Sequence, residues 1–199
     1  FDVGQIRERL TGVALPRSPA EFGITDDLAL LGNFVAGPQS LARFAGDAPL
    51  NTDDHPVVAY RAPRITYVPD SLPRDRLIAL LGEVQVRPDE LLATPRDAVW
   101  GARLAAYWSA RNRFIASGRD VQPTFDVRRM LAQVREPLIS VLHISPEFRP
   151  AYDPLLRMAT ELGRVDVAAA RGLLIELHHA QPLRPEAAQI LRSLSGASP

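Results

Sequence analysis

The densest group of polar side chains in the chain is Asn51-Thr52-Asp53-Asp54-His55, standing just before the short apolar run Val57-Val58-Ala59-Tyr60. Two carboxylates beside an imidazole suit an amine or another cation, because an ionised carboxylate accepts charge-assisted hydrogen bonds from an ammonium group. Asn51, Asp53, Asp54, His55 and Tyr60 are therefore the candidate substrate-binding residues. The same residue types also make turns, with Asn51 and Asp53 capping backbone N–H groups and His55 merely exposed. Nothing in the spacing singles out a general base, so no catalytic residue is assigned. A metal site is poorly supported: neighbouring Asp53 and Asp54 cannot easily reach one ion, His143, His178 and His179 lie far along the chain, and no His-Glu-x-x-His pattern occurs. Cysteine is absent, which excludes disulfides, thiolate zinc sites, iron–sulfur ligation and a cysteine nucleophile. Neither a Gly-x-Gly-x-x-Gly turn nor a phosphate loop ending in Gly-Lys-Ser/Thr is present, so no nucleotide cofactor is expected in this segment.

These residues need a frame. Asn51 to His55 read as a tight turn feeding one strand from Val57 to Arg61, extending toward Ile65, Thr66 and Tyr67. Pro56, Pro63 and Pro69 remove ladder donors and put that strand at an edge. Ahead of it, Phe1, Val3, Ile6 and Leu10 share one helical face. Thr25 before Asp26 and Asp27 marks an N-cap for a helix ending near Val35. Gln39 to Phe44 forms another helix, stopped by Gly46.

After the strand the pattern becomes helical. Pro73 opens a helix through Leu77, Leu80 and Leu81, and residues 84 to 95 make a short linker helix or turn. Thr94, Pro95 and Asp97 signal the start of a helix that carries Trp100, Leu104, Tyr107 and Phe114 and stops at Gly118. Further helices are predicted from Asp126 to His143, with Pro137 forcing a kink or break near Arg135, from about Pro150 to Gly163, from about Asp166, and after Pro185. Trp108 falls off the main stripe of its helix, a position suited to a partner helix or another subunit. The arginines at 157, 164, 171, 184 and 192, with Glu161, Asp166, Glu176 and Glu186, read as a solvated charged face.

Pro146 and Pro182 stand 36 residues apart, with Gly163 at the turn between them and Ala168 to Ala170 where helices must approach closely. That spacing resembles the tetratricopeptide pattern, whose repeat is about 34 residues. The expected fold is mainly α: a helical-hairpin (tetratricopeptide-like) array over residues 71–199 behind a small N-terminal α/β part over residues 1–70. The concave groove of such an array seats a protein partner, and Trp108, Tyr152, Leu156, Arg171 and His178 are the candidate interaction surface. Lys and Arg together equal Asp and Glu at 23 each, so no overall field draws in nucleic acid or an anionic membrane. No window approaches the roughly 20 apolar residues of a bilayer span. A soluble, cytoplasmic segment is expected, and the first residue, Phe rather than Met, is expected of a piece of a longer chain.

Leu50-Asn51-Thr52-Asp53-Asp54-His55-Pro56, followed by Val57-Val58-Ala59-Tyr60 and Ala62-Pro63-Arg64, resembles the segment near the end of the Rossmann-like domain in bacterial spermidine-synthase-like proteins. Some of these carry membrane helices ahead of that domain and a helical tail behind it. Glu21-Phe22-Gly23 through Leu30-Leu31-Gly32-Asn33-Phe34 to Ala45-Gly46 looks like the stretch that precedes it. The resemblance covers about residues 1–64. It implies that residues 1–70 are the remnant of an aminopropyltransferase-like domain, with Asn51, His55, Tyr60 and Pro63 as the matching positions. Pro49 and Leu50 stand where the family has tyrosines. The glycine-rich loop and paired aspartates that bind decarboxylated S-adenosylmethionine and activate the amine do not occur here. The resemblance therefore implies a scaffold or interaction region without its nucleotide-binding half, partnered by an upstream domain of the same protein or by a homo-oligomer. The alternatives are an independent helical-repeat interaction module and a piece of an S-adenosylmethionine-dependent methyltransferase-like enzyme.

Overall fold

A computed structural model describes residues 2–12, 17–66, 68, 72–84, 87–91 and 98–196. The described residues are mainly helical, with eleven α-helices, one 3-10 turn and no strand. The chain divides into two compact units, one built from Phe1–Ala14 and Asn33–Arg96, the other from Leu15–Gly32 and Asp97–Pro199. The division thus differs from a single boundary near residue 70: residues 15–32 go with the C-terminal helices, and residues 71–96 with the N-terminal ones.

The first unit holds α1 (Val3–Gly12), α3 (Pro38–Ala45), α4 (Val57–Thr66), α5 (Pro73–Val84) and α6 (Pro88–Leu91). The α/β remnant is not supported. Val57–Arg61 is the start of helix α4, not a strand, and Pro63 sits inside that helix. Val-Val-Ala-Tyr suits a strand only where a neighbouring strand accepts its backbone groups. The described residues supply none, whereas Asn51 Oδ1 accepts the Val58 N–H at 2.9 Å and so satisfies a free donor of a helix start.

The N-cap position of α3, Gly37, supplies no side-chain cap of its own. Glu90, on α6, takes that role. Its carboxylate accepts the Ser40 N–H at 3.3 Å and the Ser40 Oγ–H at 2.9 Å, and Arg43 Nη2 lies 3.5 Å away. A Cβ at Gly37 would stand 2.5 Å from Glu90 Oε2, so glycine is required by this close approach. The Ser40 hydrogen bond, aided by Arg43, holds the Glu90 carboxyl below its ordinary value of 4.5. A depressed folded-state value adds stability that is full above the unfolded value and lost as pH falls through the folded one. Glu90→Gln is therefore expected to destabilise the first unit at pH 7, and the gap from the parent should narrow on acidification to pH 3. Urea midpoints of both proteins at the two pH values check this; a gap independent of pH would exclude the carboxylate as the cap.

The second unit holds the 3-10 turn Pro19–Phe22, α2 (Asp27–Leu31) and five longer helices: α7 (Ala98–Ser117), α8 (Val127–Ile144), α9 (Arg149–Leu162), α10 (Val167–Ala180) and α11 (Pro185–Gly196). Thr94, Pro95 and Asp97, the expected start signal of α7, lie outside the described residues. The N-cap of α2 is Asp26 rather than Thr25, accepting the Ala29 N–H at 2.7 Å, and the helix ends at Leu31, short of Val35. Asp126 and Asp166 cap α8 and α10. Helix α8 runs through Pro137 without a break. The proline costs about 3 kcal/mol, but Val134, Leu138, Val141 and Leu142 are buried on both sides of it, each worth about 1.5–3 kcal/mol.

Each of α7 to α11 packs on the next in sequence, and α10 also touches α8. Short connections between such neighbours make them antiparallel hairpins. The core is continuous through Leu104, Tyr107, Leu142, Phe148, Tyr152, Leu155, Leu162, Leu174 and Leu177. Phe148 is edge-on to both Tyr107 and Phe114, with ring centroids 5.0 and 5.6 Å away.

One face of α7 clamps α2. Trp100 Nε1 donates to Asp27 Oδ2 at 3.1 Å, Trp108 Nε1 to the Leu31 carbonyl at 3.0 Å, and Arg111 Nη1 to the Gly32 carbonyl at 2.7 Å. The last two satisfy carbonyls that a helix end leaves without internal partners. Burial pushes the Tyr107 hydroxyl up to about 12 and lowers the Arg111 guanidinium.

Candidate functional site

The polar cluster at 51–55 is first of all a helix start. Besides the Asn51 cap on α4, Thr52 and His55 exchange backbone hydrogen bonds at 3.2 and 3.1 Å, and Thr52 Oγ1 accepts the His55 N–H at 3.1 Å. All five residues from Asn51 to His55 are exposed. Asp54, His55, Tyr60 and Arg61 line one open hollow of about 310 Å³, with Pro49 and Pro56 at its edge. A carboxylate, an imidazole, a phenol and a guanidinium are thereby brought together. Asn51 is committed to its cap, and Asp53 is not among the lining residues. Solvent-exposed charges of this kind are screened by salt, so the hollow suits weak, reversible contact with a small polar group.

A larger space lies in the second unit. The groove between α8 and α10 has a volume of about 820 Å³. Its α8 wall is Arg128, Ala132, Arg135, Ile139 and His143, spaced by four, three, four and four residues, which keeps them on one helical face. Asp166, Ala169 and Glu176 of the α10 side face them, and Leu162 and Leu131 add apolar surface. Ion pairs tie the two walls together. Arg135 donates to Glu176 in bidentate fashion, Nε to Oε2 at 2.9 Å and Nη2 to Oε1 at 2.6 Å, which raises the guanidinium above its ordinary range. Arg128 Nη2 lies 3.6 Å from Asp166 Oδ2 and donates to the Val165 carbonyl at 3.3 Å. These side chains remain between 36% and 61% exposed, so an occupant can exchange with them at little cost.

The five residues expected to form an interaction surface do not line this groove. Trp108 and Tyr152 are core residues, at 4% and 0% exposure. The indole N–H of Trp108 is used on the Leu31 carbonyl. The Tyr152 hydroxyl accepts the Ala187 N–H at 3.3 Å, and Arg184 lies over its ring at 5.2 Å. Leu156 and His178 are half-buried, and Arg171 is exposed on α10. The groove residues carried a signal in the sequence: the stripe from Arg128 to His143 repeats along α8 beside the core stripe of Val134, Leu138 and Leu142. Glu90 carried none, because its partner Ser40 is 50 residues away.

Among the described residues, no three His, Asp or Glu side chains gather closely enough to hold a metal ion, and no helix is long and apolar enough to cross a membrane. Comparison with known proteins returns no match to a family model, to a curated protein or to a solved structure.

Proposed function

We propose that this chain works through its surface, as a scaffold or interaction region in the C-terminal part of a spermidine-synthase-like protein, with the groove between α8 and α10 seating a protein partner. The observation that carries the interaction role is the groove itself, an open space between two helices with apolar side chains and exchangeable ion pairs on its walls. A tetratricopeptide-like arrangement of the surrounding helices is supported by positional equivalence at a spacing of 36 residues. Ser145 and Gln181 end α8 and α10 in the same way, each donating its N–H to the carbonyl four residues back. Ala151 and Ala187 are both fully buried.

A photo-crosslinking residue at exposed Ala132, inside the groove, is expected to capture a defined partner in extracts of the native source, with Arg157 on α9 as control position. Equal capture at both positions, or none at Ala132, would remove the groove from consideration.

The spermidine-synthase-like origin rests on residues 50–64 and on the surface of the first unit. No residue of α4 is buried, and Leu41, Phe44, Leu50, Val58, Tyr60 and Ile65 are all at least half exposed. Apolar surface on this scale is what a neighbouring domain or subunit covers. On this reading, decarboxylated S-adenosylmethionine is held by the upstream domain, and the hollow at Asp54, His55 and Tyr60 lies at the mouth of the amine pocket. Intact mass of the natural gene product tests it. A mass well above 21.9 kDa, with a glycine-rich strand–loop–helix ahead of Phe1, supports it; a mass near 21.9 kDa favours the independent interaction module.

A further inference from the structure

The turn after α8, Ser145 to Phe148, and the turn after α10, Gln181 to Arg184, have the same internal hydrogen bond, from Phe148 N–H to the Ser145 carbonyl and from Arg184 N–H to the Gln181 carbonyl, both at 3.1 Å. They are also pinned to one another. Arg184 Nη2 donates to the Glu147 carbonyl at 3.3 Å, Arg149 Nη2 donates to Glu186 Oε1 at 3.3 Å, and Ala187 N–H meets the Tyr152 hydroxyl. Direct bonds therefore join the two turns.

Other buried polar atoms of the same turns lack such bonds. Ser145 is 1% exposed and Gln181 2% exposed, yet the Ser145 hydroxyl and both ends of the Gln181 carboxamide meet no partner among the described residues. His178 Nδ1, one turn earlier on α10, and Glu186 Oε2, in the first turn of α11, are buried in the same condition. Five atoms on two pinned turns and their adjoining helices thus need hydrogen bonds. The set mixes a hydroxyl, an imidazole nitrogen, an amide donor, an amide acceptor and a carboxylate acceptor, which is the combination water molecules serve, since an internal water makes about three hydrogen bonds to such groups.

We infer that the stacked turns enclose ordered water, ligated by Ser145 and Gln181 and shared with Glu186 or His178. The water completes the contact between successive hairpins and fixes the spacing of the turns. Leaving these atoms dry costs free energy at each one, whereas one or two waters satisfy them together.

Oxygen-17 magnetic relaxation dispersion of the full chain counts water molecules of long residence. The expected result is a loss of at least one such water between the parent and Ser145→Ala/Gln181→Leu, with Tm lower by about 3–6 °C because ligated groups have been removed. An unchanged count overturns the inference, and so does a rise in Tm, since apolar replacement of groups that were dry stabilises. If the double variant does not fold, Ser145→Ala alone gives the same comparison by the same two readings.

Discussion

Tyr152→Ala is expected to lower the stability of the second unit by about 3–5 kcal/mol, the range for deleting a fully buried aromatic side chain. The ring is 0% exposed, lies under the Arg184 guanidinium, and carries the hydroxyl that accepts the Ala187 N–H at the start of α11. Burial raises that hydroxyl above its ordinary value, so it stays protonated at neutral pH. Tyr152→Phe separates the two contributions: it keeps the ring and removes the acceptor, and should cost about 1 kcal/mol. Both tryptophans, Trp100 and Trp108, lie in the second unit, so denaturant unfolding followed by tryptophan fluorescence reads that unit alone. A Tyr152→Ala protein within 1 kcal/mol of the parent would contradict the packing described.

Gly32→Ala should be almost as damaging, against the usual direction for such a change. Gly32 has φ −61° and ψ −21°, a helical conformation that alanine adopts freely. Backbone entropy alone would make the substitution stabilising by about 0.4–1 kcal/mol. The added Cβ, however, would stand 2.2 and 2.3 Å from two ring carbons of Tyr107 and 2.6 Å from the Leu28 carbonyl oxygen. Tyr107 is buried and braced edge-on against Phe148, so its ring cannot swing away. Overpacking of a braced core costs about 1–3 kcal/mol, sometimes more. It also displaces the carbonyls that Trp108 and Arg111 engage, and a net loss of about 2–3 kcal/mol is expected. Fluorescence-detected unfolding of the variant gives the sign directly; a gain in stability would mean that Tyr107 is free to move.

What was legible in the sequence follows from range. The helices of the second unit are written in local signals: Asp126 and Asp166 as caps, Gly118 and Gly163 as stops, and apolar residues at helical spacing. Tyr152, Leu155, Ala159 and Leu162 stand at helical spacing on α9, and all four are buried. The mainly α class was visible for the same reason. Val57 to Arg61 form a helix rather than the expected strand, because β-propensity reports a fit to neighbouring strands and the turn ahead of it serves a helix as readily through Asn51. Trp108 looked spare on a helical wheel because its partner, the end of α2, is 77 residues away, and the wheel counts only apolar stripes. Tyr152, expected on the interaction surface, is buried instead, and its hydroxyl is spent on the backbone of α11. In the candidate site, Asp54, His55 and Tyr60 do meet around one hollow, while Asn51 does not take part.

Among the described residues, two helix starts are capped by side chains from distant parts of the chain, α3 by Glu90 and α11 by Tyr152. The two cases run in opposite directions along the polypeptide, and that matters during synthesis. Tyr152 has already been made when α11 leaves the ribosome, so the last helix can take up its cap at once. Helix α3, only eight residues long, must wait until Glu90 has followed some 50 residues later. Helices shorter than about 12–15 residues are marginal in water by themselves. Helix α3, although made long before α11, therefore receives its cap only after a later part of its own unit has been made.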